Sequence, residues 1–210
     1  MKQATIILLI SLLSLNVSAQ TKLSAAEQKT VIERMDKAAK AMTSMQCDFE
    51  QTKSMKMMSK KMVSKGIMYF RRPDKLRWQY TSPYDYTFVL NGDKVRIKSS
   101  KSTQNIDVKQ NKMFRQITAV IVKSVTGGSL KSNADFQVEL YKKNKTYSAR
   151  MYPKKKEVKQ VYKFIELTFN SGLTMVSSVR MEEKTGDVTT VRLNNVKTNT
   201  KINDKVFDIN

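Results

Sequence analysis

Residues 63–98 read VSKGIMYFRRPDKLRWQYTSPYDYTFVLNGDKVRIK, and this stretch decides the fold. Four short runs, Val63 to Arg71, Leu76 to Tyr80, Tyr86 to Leu90 and Val95 to Lys98, have the β-branched and aromatic character of strands. Between them stand Arg72-Pro73-Asp74, Ser82-Pro83 and Asn91-Gly92-Asp93, residue types that pre-set or tolerate turn geometry. Asn91-Gly92 suits a hairpin turn that needs positive φ. Successive side chains of a strand point to opposite faces, so Leu76, Trp78 and Tyr80 share one face. The stretch therefore predicts consecutive antiparallel hairpins.

Working outward, period two already holds from Cys47, where Phe49, Gln51 and Lys53 alternate with Asp48, Glu50 and Thr52. It returns in Phe136 to Tyr141, Tyr147 to Tyr152, Val161 to Phe169, Leu173 to Met181 and Val188 to Val196. Asn170-Ser171-Gly172 and Thr185-Gly186-Asp187 mark turns among these. Helical spacing occurs twice. Ser24-Ala25-Ala26-Glu27 is a capping box, and Val31, Ile32, Met35, Ala38, Ala39, Met42 and Met45 follow on one stripe. The second stripe is Met113, Ile117, Val120, Ile121 and Val125, stopped by Gly127-Gly128. No repeat or linker interrupts the chain. The expectation is one mainly β domain, residues 20–210, with a long antiparallel sheet and two helices against it.

Composition narrows the chemistry. The 210 residues contain no histidine, which excludes imidazole acid/base catalysis and His-based metal sites. A single cysteine, Cys47, excludes an intramolecular disulfide and Cys-cluster metal sites. Glu182-Glu183 lies on a predicted strand, where neighbours face apart, so it forms no acid/base dyad. The sequence thus predicts no catalytic residues, no metal and no cofactor. The formal charge is +21, which favours anionic partners.

The first nineteen residues read as an export signal. Lys2 is the basic start, Ala4 to Leu15 is uncharged, and Val17-Ser18-Ala19 supplies the cleavage pattern before Gln20. The uncharged run is too short for a stable membrane span. Gln20 stands where a lipid-anchored protein would carry cysteine. The expectation is cleavage of residues 1–19 and a soluble, exported protein of charge +20, with Cys47 a buried small side chain.

A sheet of ten or more strands curls as twist accumulates, and its concave face must be filled by side chains, helices or a ligand. Two helices are few for so much sheet. Met35, Met42 and Met45 on the first helix, with Met55, Met57, Met58, Met62 and Met68 in the predicted strands behind it, suit a surface that re-packs around variable partners. An ordinary methionine-rich core fits them equally.

The run Phe70-Arg71-Arg72-Pro73-Asp74-Lys75-Leu76-Arg77-Trp78-Gln79-Tyr80, followed by Ser82-Pro83, resembles the signature of the periplasmic lipoprotein carrier family, LolA. Gly66, Arg72, Pro73, Leu76, Trp78, Pro83 and Asn91-Gly92 stand in that family's order. Phe49-Glu50-Gln51 resembles its F-x-Q, and Ile165 to Phe169, Gly172, Val176 to Arg180 and Asn203 to Phe207 resemble its later segments. The resemblance implies a LolA/LolB-like unclosed antiparallel half-barrel of about eleven strands with an α lid over an apolar cavity for acyl chains. It implies a periplasmic monomer that ferries acylated lipoproteins from an inner-membrane ABC transporter to an outer-membrane acceptor.

By the same resemblance, Leu76, Trp78, Tyr80, Phe49, Met113, Ile117 and Ile121 are the cavity candidates. Met113 to Val125 is the expected lid, and Arg72 the latch on a helix C-terminus, with Gly127-Gly128 lying at one such end; adjacent Arg71 could take that part, a solvated turn arginine is the alternative, and plain core is the alternative for Leu76, Trp78 and Tyr80. The alternative is a half-barrel that binds or senses another amphiphile, such as a glycolipid. Lys142, Lys143, Lys145, Arg150, Lys154, Lys155, Lys156 and Lys159 crowd one region against Glu157. An export signal and the lack of a recognisable module argue against nucleic acid there. An anionic membrane surface, lipopolysaccharide or acidic cargo is the expected partner, and a solvated face without a role is the alternative.

Overall fold

The computed structural model describes residues 20–110, 130 and 135–209. Strand β1 (Thr21–Lys22) leads into helix α1 (Ala25–Ala41). The Ser24 hydroxyl accepts the Glu27 backbone N–H, and the Glu27 carboxylate accepts the Ser24 N–H at 3.0 Å, so both halves of the capping box form. The helix ends sooner than the stripe through Met45 predicts. Met42 leaves helical geometry (φ −81°, ψ 114°), and Met45 sits fully buried in the next strand opposite Phe70. Burial in the sheet outweighs a weak local preference for further helix.

Strands β2 (Ser44–Ser54), β3 (Met62–Arg71), β4 (Lys75–Ser82), β5 (Tyr86–Asn91), β6 (Lys94–Ser99) and β7 (Thr103–Asp107) form one antiparallel meander. A second meander comprises β8 (Phe136–Lys143), β9 (Thr146–Pro153), β10 (Tyr162–Phe169), β11 (Val176–Glu183) and β12 (Val188–Thr198). Pairing of β12 with β2 joins the two into one open sheet of twelve strands, with β1 and β7 at its edges. The expected half-barrel class holds, with twelve strands rather than about eleven.

Short helix α2 (Lys156–Val161) interrupts the lysine-rich segment between β9 and β10, where the sequence predicts no helix. No helix among the described residues is long and apolar enough to cross a membrane. The predicted helix at 113–125, its Gly127-Gly128 stop and the expected signal at 1–19 lie outside the described residues.

The register aligns one parity of side chains across the sheet. Along one line Leu140, Ala149, Leu167, Val179 and Val191 are consecutive partners. Along another, Cys47, Met68, Trp78, Phe88 and Ile97 follow one another. This inner face holds two clusters. In one, Val31 and Met35 of α1 pack on Leu140, Ala149, Ile165 and Leu167. In the other, Met42, Met45, Phe49, Met68, Phe70, Leu76 and Leu90 form a buried floor beneath Trp78, Tyr80 and Tyr86.

The opposite parity forms the outer face. There the C-terminal strap, Ile202 to Ile209, packs Ile202 and Phe207 on Val89. Elsewhere on that face, Arg150 lies between the rings of Tyr141 (4.8 Å) and Phe164 (4.7 Å) and pairs with Glu166 at 3.3 Å. Arg150 is thus part of the outer-face packing rather than of an open basic patch.

Candidate functional site

The inner face of β2 to β5 carries a group of aromatic rings. Phe49 lies 4.3 Å from Trp78 and edge-on to Tyr80 at 5.1 Å, and Tyr80 approaches Tyr84 at 5.5 Å and Tyr86 at 6.0 Å. Glycine makes this possible. Gly66 is the partner of Phe49 on β3, and a Cβ there would stand 2.5 Å from Phe49 Cζ and 2.0 Å from the Gln79 carbonyl oxygen. The Phe49 ring therefore lies flat over bare backbone and reaches Trp78 on the far strand.

The candidates differ in exposure. Phe49 and Leu76 are buried, at 2% and 0%, and belong to the floor. Trp78, Tyr80 and Tyr86 are half-buried above it, and Tyr84 is exposed at the strand end. The Tyr80 hydroxyl donates to Gln51 Oε1 at 3.0 Å, which satisfies its polar end. Burial raises the pKa values of Tyr80 and Tyr86, so both phenols stay neutral near pH 7. Of the remaining candidates, Met113, Ile117 and Ile121 lie outside the described residues.

Sequence reasoning passed over Gln51, Tyr84 and Tyr86 as site members. For Tyr86 the signal was present: Tyr86, Phe88 and Leu90 alternate in phase with Tyr80, Trp78 and Leu76 across the turn. Gln51 alternates in phase with Phe49 and stands in the F-x-Q run, so its face was legible though its bond to Tyr80 was not; Tyr84 gave no such signal, because it is recognised only by its contact with Tyr80.

Arg72 reaches the end of α1. Its Nε donates to the Met42 carbonyl at 2.7 Å and its Nη2 to the Ala39 carbonyl at 2.6 Å. These carbonyls stand at a helix C-terminus, where Ala39 also accepts the Met42 N–H at 3.3 Å, and a guanidinium fork engages two at once while opposing the negative dipole end. Its side-chain partners among the described residues are Ala39 of α1 and Met42, the residue that caps it, not the Gly127-Gly128 end that the sequence offered. Neighbouring Arg71 turns to the outer face, where it pairs with Asp204 and lies 5.4 Å above the Phe207 ring.

Cys47 sits beneath this region, 1% exposed between Met45 and Phe49. Burial, aided by the Asp48 charge, pushes its thiol up to about 12, so it stays protonated and unreactive.

Of the eight basic residues singled out, Lys155 pairs with Asp135 at 2.7 Å and Lys142 lies over the Tyr147 ring at 5.5 Å. Lys154 and Lys159 join Lys163 and Lys184 around a recess of about 640 Å³ that includes Glu139 and Tyr152. A second recess of about 610 Å³ lies on the outer face of β4 to β6, among Arg77, Arg96, Lys98 and Lys205. Both are walled mainly by polar and charged side chains and do not suit hydrocarbon. The predicted chemistry of the inner face and the polar recesses therefore belong to opposite sides of the sheet. Among the described residues, no three His, Cys, Asp or Glu side chains gather as metal ligands.

Comparison with known proteins agrees with this architecture. The chain is 29% identical over 147 residues to an outer-membrane lipoprotein carrier protein of Legionella pneumophila, covering 70% of this chain and 69% of that one. It is 25% identical over 147 residues to the protein of that name from Pseudoalteromonas translucida, covering 70% and 67%. An uncharacterised conserved protein of Thermus thermophilus shares the fold at 9% identity, with a TM-score of 0.52 over 86% of this chain and 92% of that one. Residues 40–210, from the end of α1 through the strap, match the family model described as outer membrane lipoprotein carrier protein LolA, and the chain belongs to that family.

Proposed function

We propose that this protein carries acylated lipoproteins across the periplasm by holding their acyl chains on the aromatic half of the inner face. The supporting observation is the partly exposed ring group Trp78, Tyr80 and Tyr86 above a buried apolar floor, in a chain of the lipoprotein carrier family. Hydrocarbon gains about 0.8 kcal/mol per buried methylene, so a shuttle must shield several chains and still release them. Flat rings and the flexible thioethers of Met42, Met45 and Met68 suit that reversible fit. In this reading the donor is the inner-membrane ABC transporter and the recipient an outer-membrane acceptor. Arg72 holds the end of α1 against the sheet until cargo enters. The role is binding and transfer without catalysis.

Trp78 is the sole tryptophan, so its emission reports events at the site. Titration with a dansylated fatty acid should quench Trp78 by energy transfer, and native mass spectrometry of protein from its own envelope should find lipoprotein bound. Trp78→Glu should lower probe affinity roughly ten-fold or more, as expected for a charge placed in an apolar contact, with the β-type circular dichroism kept. A wild-type protein that never takes up acylated probes, or a Trp78→Glu variant that takes them up normally, defeats the proposal. Leu76 is the poorer test position, because a charge at a fully buried site damages the fold itself.

A further inference from the structure

The hairpin between β2 and β3 exposes apolar side chains that the carrier reading leaves unused. Met57 is 98% exposed, Met58 and Met62 are each 50% exposed, and Val63 is 46% exposed. The sequence places these methionines in strands behind α1; the structure puts Met57 and Met58 in the turn and only Met68 of the group deep in the sheet. Lys53, Lys56, Lys60, Lys61 and Lys65 stand beside them along the same hairpin. The carboxylates close by are partly engaged: Glu183 lies 4.0 Å from Lys53, Glu50 lies 3.8 Å from Lys65, and Asp187 accepts the Lys56 backbone N–H at 3.0 Å. Lys56, Lys60 and Lys61 have no carboxylate within 4.0 Å among the described residues.

The turn is braced. The Met58 N–H donates to the Met55 carbonyl at 3.0 Å, and the Lys56 side chain packs on Gly186 of the neighbouring hairpin, where an added Cβ would stand 2.8 Å from its Cδ. We infer that this hairpin is a membrane-contacting tip, in which Met57 and Met58 dip into the interface of an anionic bilayer while the lysines meet its headgroups. Apolar side chains flanked by lysine form the combination that holds a protein at such an interface, and the charge selects anionic over neutral lipid.

Location adds to the argument. Lys53 pairs with Met62 and Lys65 with Ser82, so the tip and the turn carrying Tyr84 stand at the same end of the sheet. Tyr84 in turn leads to Tyr80 and the aromatic group. Arg72 and the end of α1 lie at the opposite end of β2 and β3. A bilayer under the tip would therefore face the exposed end of the aromatic row.

The inference stands apart from acyl carriage, and one experiment separates the two. The protein is co-sedimented with phosphatidylglycerol-containing vesicles and with phosphatidylcholine vesicles, and uptake of a soluble dansyl fatty acid is measured in parallel. The wild type should sediment with the anionic vesicles only, and less so at high salt, as screening of exposed charges requires. Met57→Asp with Met58→Asp should reduce sedimentation roughly ten-fold, and Lys60→Glu with Lys61→Glu several-fold, with probe uptake unchanged in both. Both pairs are exposed, so folding is preserved.

Absence of wild-type binding, equal binding to phosphatidylcholine, or unaltered binding by the methionine variant overturns the inference. So does self-association that the methionine variant abolishes in the absence of vesicle binding, which would make the tip an interface between copies. Loss of probe uptake in the wild type would instead strike the carrier reading and leave the tip untouched.

Discussion

The two halves of the inner face share a parity, a sheet and a chain, yet they are finished differently. Across β8 to β11 the side chains are mostly aliphatic, and α1 lays Val31 and Met35 on Leu140, Ala149 and Leu167, so that half is sealed by the protein itself. Across β2 to β5 a methionine and phenylalanine floor is topped by rings that remain partly open. Among the described residues, one half is closed over by α1, and the other keeps partly buried rings, the surface that the proposed function gives to acyl chains.

Two substitutions test that division, and a third tests the strap on the opposite face. Gly66→Val should have the largest effect. Its side chain would collide with a backbone oxygen and with the Phe49 ring, so relief requires shifting β4 away from β3. The cost is at least about 3 kcal/mol, the upper range for overpacking, read as a large fall in the thermal midpoint together with lost probe binding.

Leu167→Ala, in the sealed half, should cost about 2.5 kcal/mol through an unfilled cavity, while each folded molecule still takes up probe with wild-type affinity. Uptake lost in step with stability there would erase the distinction between the halves.

Asp204→Asn should have the smallest effect. Hydrogen bonds from Arg71 and Lys75 hold the Asp204 carboxyl at about 2, below an ordinary value near 4. A depressed acid adds stability above its unfolded pKa and loses it as pH falls through the folded one. Wild type and variant should therefore differ slightly at neutral pH and converge between pH 4 and 2 in thermal melts. Because the carboxylate is exposed, solvent keeps the difference small. A gap that widened in acid would mean that the strap is anchored otherwise.

The strand meander was legible wherever one face is wet and the other dry, as in Leu76, Trp78 and Tyr80 against Arg77 and Gln79. The start of α1 was legible because its cap is local chemistry. Its end was not, since Met42 and Met45 continue the helical stripe and only the sheet decides between the two fates. Strand β7, Thr103–Asp107, is mostly exposed and polar and carries no alternation to read. Helix α2 was hidden in lysines, and the outer role of Phe207 depends on the parity of Val89, a distant residue. The aromatic site was half legible: the strands showed Trp78 and Tyr80 and put Gln51 on the face of Phe49, whereas Tyr84 required the fold to bring it there.

The seam between β2 and β12 has a kinetic consequence. Each meander is made of neighbours in sequence and can zip hairpin by hairpin. The long ladder from Met45–Thr198 to Ser54–Val188, in contrast, unites strands from near the two ends of the chain. Closing so distant a pair costs loop entropy before any contact repays it, and distant pairings slow folding. Completion of the sheet therefore waits on β12, the farthest along the chain of the described strands, and until it docks β2 presents an unpaired edge that other chains can engage.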